Sequence, residues 1–158
     1  FIVQIVVGLI ELKEGNIVGG NVFTFFAAFF MFVTGLNMIV KFWAASKGIA
    51  LDARIDGWAW LVLAIALTFF WPCYLAGPKS MGLAVTAIVP AGWIICLMDL
   101  HIIGHEYALI AGWLILITGA LGLYTGLAIA VNTRFQRAVL PVGSPILKEK
   151  SSHISAAG

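Results

Sequence analysis

The sequence predicts an all-α integral membrane protein. Hydrophobic residues make up 62% of the 158 residues and charged residues only 10%, with a mean hydropathy of +1.06. Soluble domains are close to half apolar and a quarter charged, so this composition excludes that class. The apolar residues form runs of about 20, the length of a spanning helix, and not the short alternating runs of a membrane β-strand. Because a helix satisfies its own backbone in lipid, we expect each span to be helical.

Five apolar segments divide the chain, and four of them are long enough to cross a bilayer. The first segment is too short, and it begins without a methionine or a basic leader. We therefore interpret it as the second half of a helix and expect the front of the native chain to precede Phe1. The predicted helices lie at residues 1–12 (partial) and at about 21–45, 57–76, 81–98 and 107–131. Together they form a transmembrane domain over residues 1–143, followed by a cytoplasmic tail over residues 144–158.

Short polar connections set the arrangement of the helices. The turn from Gly77 to Ser80 is so tight that the third and fourth runs must be antiparallel neighbours. The side that holds this turn carries most of the basic residues: Lys13, Lys79, Arg134, Arg137, Lys148 and Lys150. The opposite side carries Lys41, Lys47 and Arg54. The positive-inside rule then predicts that the protein lies in the cell membrane with its C-terminus in the cytoplasm.

Small residues follow one stripe of the last helix, at Gly119, Gly122 and Gly126. Lipid provides no hydrophobic drive between helices, so such stripes usually allow close helix packing. A narrow pore wall is the other interpretation. Threonine hydroxyls in the spans are expected to bond a neighbouring backbone carbonyl.

The chemistry of the polar residues favours transport of a small solute. No acidic, basic or histidine residue lies in the middle of a complete span, whereas ion-coupled pumps tend to carry such residues. His101 and His105 are four apart but have no evident third ligand, so we expect no metal and no cofactor. A net charge of +2 does not indicate nucleic acid, and no nucleophile–base pair indicates an enzyme.

Two separated blocks of sequence resemble the acetate uptake transporters, also called the succinate–acetate permease family. The first block is GLIELKEGN, from Gly8 to Asn16, followed by Gly19 and Phe23-Thr24. The second includes AGW at Ala111 to Trp113, Gly119-Ala120, Tyr124, Asn132, Phe135, Arg137 and VLPVG at Val139 to Gly143. The similarity runs from Phe1 to about Gly143.

The resemblance implies a six-helix bundle whose first helix and start of the second precede Phe1. It also implies assembly as a hexamer, with a pore in each protomer that passes acetate and, in some members, succinate. The family narrows this pore with a Phe, a Tyr and a Leu. Phe26 stands at the Tyr position, which makes the constriction more apolar, and the Leu position falls at about Val89. The polar residues at family positions are Gln4, Glu11, Asn16 and Thr24.

Other interpretations stay open at this stage. A urea or short-amide channel shares the six-helix, hexameric plan, and a non-transporting membrane scaffold subunit would use the same helices for assembly. Glu11 is either the water edge of its helix or part of a pore mouth, because Gln4 lies two turns away on the same helix face.

Overall fold

The computed structural model describes residues 1–52 and 54–147. Its elements in chain order are α1 (Ile2–Lys13), α2 (Ile17–Phe25), a π-helical segment (Phe26–Phe32), α3 (Val33–Ser46), α4 (Arg54–Leu75), α5 (Lys79–Asp99), a 3₁₀ turn (His105–Tyr107) and α6 (Ala108–Phe135). The Ser-rich end of the predicted tail, from Ser151, lies outside the described residues. The described residues contain helices and no strand, which confirms the predicted all-α class.

Four helices are long and apolar enough to cross a membrane, within the part of the chain that the structure describes. They are Ile17–Ser46, which joins α2, the π-helical segment and α3, and then Arg54–Leu75, Lys79–Asp99 and His105–Phe135. The first of these spans starts at Ile17, four residues before residue 21, at which the apolar run predicts the start of this helix. The reason is local, because the side chain of Asn16 accepts a hydrogen bond from the backbone N–H of Gly19 at 3.0 Å and caps the helix.

Two glycines let α1 and α2 pack backbone against backbone. A Cβ built on Gly8 would lie 2.7 Å from Thr24 Cγ2 and 2.9 Å from the Thr24 backbone nitrogen. A Cβ on Gly20 would lie 2.4 Å from Leu12 Cγ. The α1–α2 hairpin therefore depends on the missing side chains at both crossings, as expected for helices that associate by close packing.

Helices α4, α5 and α6 pack in sequence, and α4 and α5 are antiparallel neighbours, as the tight turn predicts. Indole groups join α4 to α5: Trp93 Nε1 donates to Thr68 Oγ1 at 3.0 Å, and Trp71 Nε1 donates to Thr86 Oγ1 at 2.9 Å. The threonine hydroxyls also donate to the carbonyl four residues earlier on their own helix, as the sequence predicts: this holds for Thr24, Thr68, Thr86, Thr118 and Thr125.

The glycine stripe of α6 is open within the chain. A Cβ on Gly119, Gly122 or Gly126 would meet no atom of the described residues within 4 Å. The close packing expected of this stripe is therefore not made with another helix among the described residues.

The segment after α6, residues 138–147, folds back on the ends of its neighbours and is here called the strap. Asn132 holds it at one end: its Nδ2 donates to Leu140 O at 2.8 Å, and its Oδ1 accepts from Val139 N at 2.7 Å. Further along, Val142 O accepts from Ser80 N at 3.0 Å. Leu147, inside the predicted tail, donates its N–H to Leu75 O at 2.9 Å.

Candidate functional site

The bundle has two ends, which we name by their connections. The turn face carries the α1–α2 turn at Gly15-Asn16 and the α4–α5 turn at Gly77-Pro78. The loop face carries the α3–α4 loop, which follows Ser46, and the α5–α6 connection at His101 to Gly104. Each end holds a cavity.

The cavity at the turn face has a volume of about 430 Å³. It lies where α2 begins, α4 ends, α5 begins and α6 ends. Its polar or small lining groups include Asn16, Gly19, Tyr74 and Thr125. The Thr125 side chain is buried, and its hydroxyl is 2.8 Å from Ser80 Oγ.

A small polar cluster supports the mouth of this cavity. Asn16 Nδ2 donates a hydrogen bond to Glu11 Oε2, while Asn16 Oδ1 accepts from Gly19 N. A Cβ on Gly19 would lie 2.6 Å from Asn16 Nδ2 and 3.0 Å from Glu11 Oε2, so glycine is needed for the cluster to close. Glu11 therefore orients the residue that caps α2 and lines the cavity.

The cavity at the loop face has a volume of about 230 Å³ and lies between α3, α4 and the end of α5. Its polar lining consists of Thr34, Asn37, Lys41, Asp56 and Asp99. The first three follow one face of α3, at spacings of three and four residues.

Asp56 is the organising group of this cavity, since it is only 8% exposed. Its Oδ1 accepts from Asn37 Nδ2, and its Oδ2 forms an ion pair with Lys41 Nζ. The Lys41 side chain stays 49% exposed. The carboxylate thus ties α3 to α4 and holds a cation and an amide at the cavity wall.

A wider depression on the loop face, here called the outer hollow, has a volume of about 770 Å³ and shares Asn37 and Lys41 with the loop-face cavity. On its far wall Arg54 Nη2 donates to Asp52 Oδ2 at 2.7 Å. The hydrogen bond from the Arg54 side chain lowers the pKa of Asp52 to about 2, so Asp52 is charged at neutral pH.

An apolar cluster fills the space between the two end cavities. Its buried members are Leu63, Leu67, Val85 and Val89, and half-buried aromatic side chains pack around them: Phe25, Phe26, Phe30, Trp60, Trp71, Tyr74 and Trp93. Phe30, Trp60 and Leu63 also line the loop-face cavity, whereas Tyr74 also lines the turn-face cavity. The two cavities are therefore separated by one continuous apolar layer.

No protein-family model matches the chain. SatP of Escherichia coli K12, a succinate-acetate/proton symporter, is 27% identical over 144 residues, which cover 90% of this chain and 73% of SatP. SatP of Shigella flexneri gives the same values. The solved structure of the bacterial acetate channel SatP matches with a TM-score of 0.75 at 25% identity, covering 90% of this chain and 76% of that one.

This chain is homologous to SatP. The homology confirms the family resemblance drawn from the two sequence blocks. It also supports assignment to a class of multi-pass membrane transporters and channels, in agreement with the four apolar spans.

In this homologue of SatP, the residues predicted for the constriction pack in the same apolar cluster. Phe26 is half-buried and is the first residue of the π-helical segment, and Val89 is 8% exposed on α5. Phe26 makes edge contacts with Phe25 and Phe30, whose ring centroids lie 5.9 and 6.3 Å away.

The four predicted polar residues all lie on the α1–α2 hairpin. Asn16 lines the turn-face cavity and Glu11 bonds to it. The Thr24 hydroxyl donates to Gly20 O at 2.9 Å, and its methyl faces Gly8. Gln4 is half-buried on α1.

The sequence did not predict the loop-face cluster: Lys41 was counted only among the basic residues of its side, and Asp56 was assigned no role. The available signal was a pair of opposite charges on either side of one loop. Among the described residues, no group of three or more His, Cys, Asp or Glu side chains could hold a metal ion.

Proposed function

We propose that this chain carries acetate and other short carboxylates, including succinate, across the cell membrane along a path within each protomer. One observation supports the proposal: a single apolar cluster lies between the two end cavities in a chain homologous to a protein named for acetate transport. From Asn16 to Lys41 the helical rise is roughly 37 Å at about 1.5 Å per residue, which matches a bilayer core with its interfaces.

The path begins at the turn face, where the substrate leaves bulk water. Asn16 offers its amide group to a carboxyl group there, replacing part of its hydration, while Thr125 forms part of the cavity wall. Glu11 holds Asn16 in place and forms the rim of the mouth. Thr24 and Gln4 are the next polar groups along the hairpin.

The apolar cluster then sets the chemical form that crosses. An isolated carboxylate costs tens of kcal/mol in a medium of low dielectric, whereas an undissociated acid costs roughly 2–7 kcal/mol. Protonating a carboxylate of pKa about 4 at pH 7 costs only about 4 kcal/mol. The acid therefore crosses the layer around Phe26 and Val89 most easily as the neutral molecule, which links uptake to the proton gradient.

The same layer selects for size. The aromatic rings of Phe26 and Phe30 lie against the buried aliphatic residues, so a passing molecule must displace or slide past them. A two-carbon acid needs less displacement than a longer one.

We also propose the assembly that the family resemblance implies and the orientation that the distribution of basic residues indicates. The chain forms a homo-hexamer in the cell membrane, with the turn face and the C-terminus in the cytoplasm. The open glycine stripe of α6 supports contact between protomers, since it is free of partners among the described residues of its own chain.

The test is uptake of labelled acetate into proteoliposomes that contain the full chain, with flux into empty liposomes subtracted. The Phe26→Ala variant should raise the uptake of succinate relative to acetate by about tenfold, because lost apolar contacts of this size change discrimination by 10–200-fold. Phe69→Ala is the matched control, since Phe69 is 77% exposed on α4.

The outcomes separate the competing functions. Acetate uptake that other short acids block and urea leaves unchanged supports the proposal. Urea flux without acetate flux would favour the amide channel, and the absence of any flux would favour the scaffold subunit. An unchanged succinate-to-acetate ratio in Phe26→Ala would remove Phe26 from the constriction.

A further inference from the structure

Lys41 lies on the boundary between the outer hollow and the loop-face cavity. Lys41 and Asn37 line both the outer hollow and the loop-face cavity. A solute that moves from the hollow to the cavity must therefore pass these two side chains. We call this boundary the throat.

The sign of the net charge changes at the throat. In the outer hollow Lys41 and Arg54 face Asp52, which leaves one positive charge. In the loop-face cavity Lys41 faces Asp56 and Asp99, which leaves one negative charge. An anion is attracted as far as the throat and repelled beyond it, whereas an undissociated acid has no such barrier.

The hydrogen-bonding groups at the throat are incompletely used. An ammonium has three N–H donors, and Lys41 gives one of them to Asp56. Asp56 keeps Lys41 from turning fully into solvent, and Asn37 fixes the other carboxylate oxygen. Two donors of Lys41 are thus available at a position that the buried carboxylate holds.

We propose that Lys41, positioned by Asp56, is a binding subsite for the carboxyl group of the substrate, and that the cavity behind it takes the undissociated acid. The Lys41 N–H donates to the carbonyl oxygen of the acid, and the acid O–H donates to the carboxylate of Asp99. This subsite rests on the proposed transport of short carboxylates and names the residues that recognise them on the loop face.

Other titratable groups lie near the subsite and belong in any account of its pH dependence. From α3 comes Lys41 itself, from α4 Asp56, and from α5 Asp99. The α5–α6 connection adds His101 and His105, which are close enough to Asp99 to act on it through space.

The experiment measures the KM and maximal rate of labelled acetate uptake from the loop face, in proteoliposomes of known orientation. The Lys41→Met variant should raise KM about tenfold, the usual effect of losing one charge-assisted hydrogen bond, with a smaller change in maximal rate. Lys41→Arg keeps the cation and its donors and should recover most of the loss. Lys47→Met removes the same charge from an exposed site that lines neither space, and its KM should stay at the wild-type value.

A pH series tests the form of the acid. Above the pKa of the acid, the wild-type KM expressed as total acetate should rise about tenfold per pH unit, following the undissociated fraction. Asp99→Asn removes the repelling charge and should flatten this slope. This variant carries the test even if Lys41→Met fails to fold.

Two results would refute the Lys41 subsite and leave the proposed transport intact. One is an equal KM for Lys41→Met and Lys47→Met. The other is a dependence of KM on pH that is the same in Asp99→Asn as in the wild type. A lower melting temperature of Lys41→Met with a wild-type KM would mean that Lys41 only ties α3 to α4. The absence of acetate uptake by the wild-type chain would instead refute the proposed function itself.

Discussion

Replacing Gly8 with alanine should separate α1 from α2. The new Cβ would lie 2.9 Å from the backbone nitrogen of Thr24 and 2.7 Å from its methyl, whereas ordinary contacts begin at 3.4 Å. A backbone atom cannot rotate away, so the helices must move apart by about half an ångström. Overpacking of this kind costs about 1–3 kcal/mol, and the higher helix propensity of alanine returns up to about 1 kcal/mol. We expect a net destabilisation of about 1–2 kcal/mol in Gly8→Ala.

The assay is thermal unfolding of the purified protein in one detergent. The expected loss corresponds to a fall in melting temperature of about 2–8 °C for a chain of this length. Gly35→Ala is the matched control, because a Cβ at Gly35 meets nothing within 4 Å among the described residues and the site lies outside the α6 stripe. Its melting temperature should stay constant or rise. Equal melting temperatures for the two variants would refute the argument that Gly8 is needed for the helix crossing.

Two further predictions concern polar groups on the turn face. Glu11→Gln should keep the α2 cap, since an amide oxygen still accepts from Asn16, whereas Glu11→Ala should lower the free energy of unfolding by about 1 kcal/mol. If acetate flux and its pH dependence are unchanged in Glu11→Gln, Glu11 only supports the turn. Asn132→Ala removes the side chain that fixes Val139 and Leu140, so hydrogen exchange of these two amides should accelerate by about tenfold for each 1.4 kcal/mol lost. Exchange at the wild-type rate would mean that the contacts of Ser80 and Leu75 hold the strap without Asn132.

The helices could be predicted because their signals are local. Runs of apolar residues give the spans, and Asn16 and the Gly77-Pro78 turn mark where chain direction changes. The pairing of Lys41 with Asp56 could not be predicted in the same way, because it depends on how α3 and α4 rotate about their own axes. The residues adjacent to Lys41 and Asp56 in the sequence do not indicate this rotation.

The π-helical segment had no sequence signal either. The stretch Phe26–Phe32 is rich in phenylalanine and alanine, which fit an α-helix equally well. The strap was also beyond prediction, since its hydrogen bonds join residues from three separate helices.

The conformation of the π-helical segment fixes how α3 is rotated relative to α2. Each π turn takes up one more residue than an α turn, so the segment sets the phase between the two halves of the span Ile17–Ser46. Converting a π turn between Phe26 and Phe32 to a regular α turn, with the number of residues unchanged, would rotate everything after it by about 100°, the angle of one α-helical residue. Asn37 and Lys41 would then point away from Asp56, while Asn16 would keep its place at the other end. The π conformation therefore sets the register between Lys41 and Asp56, and a substitution that removes it would break their ion pair even though it leaves the length of the chain unchanged.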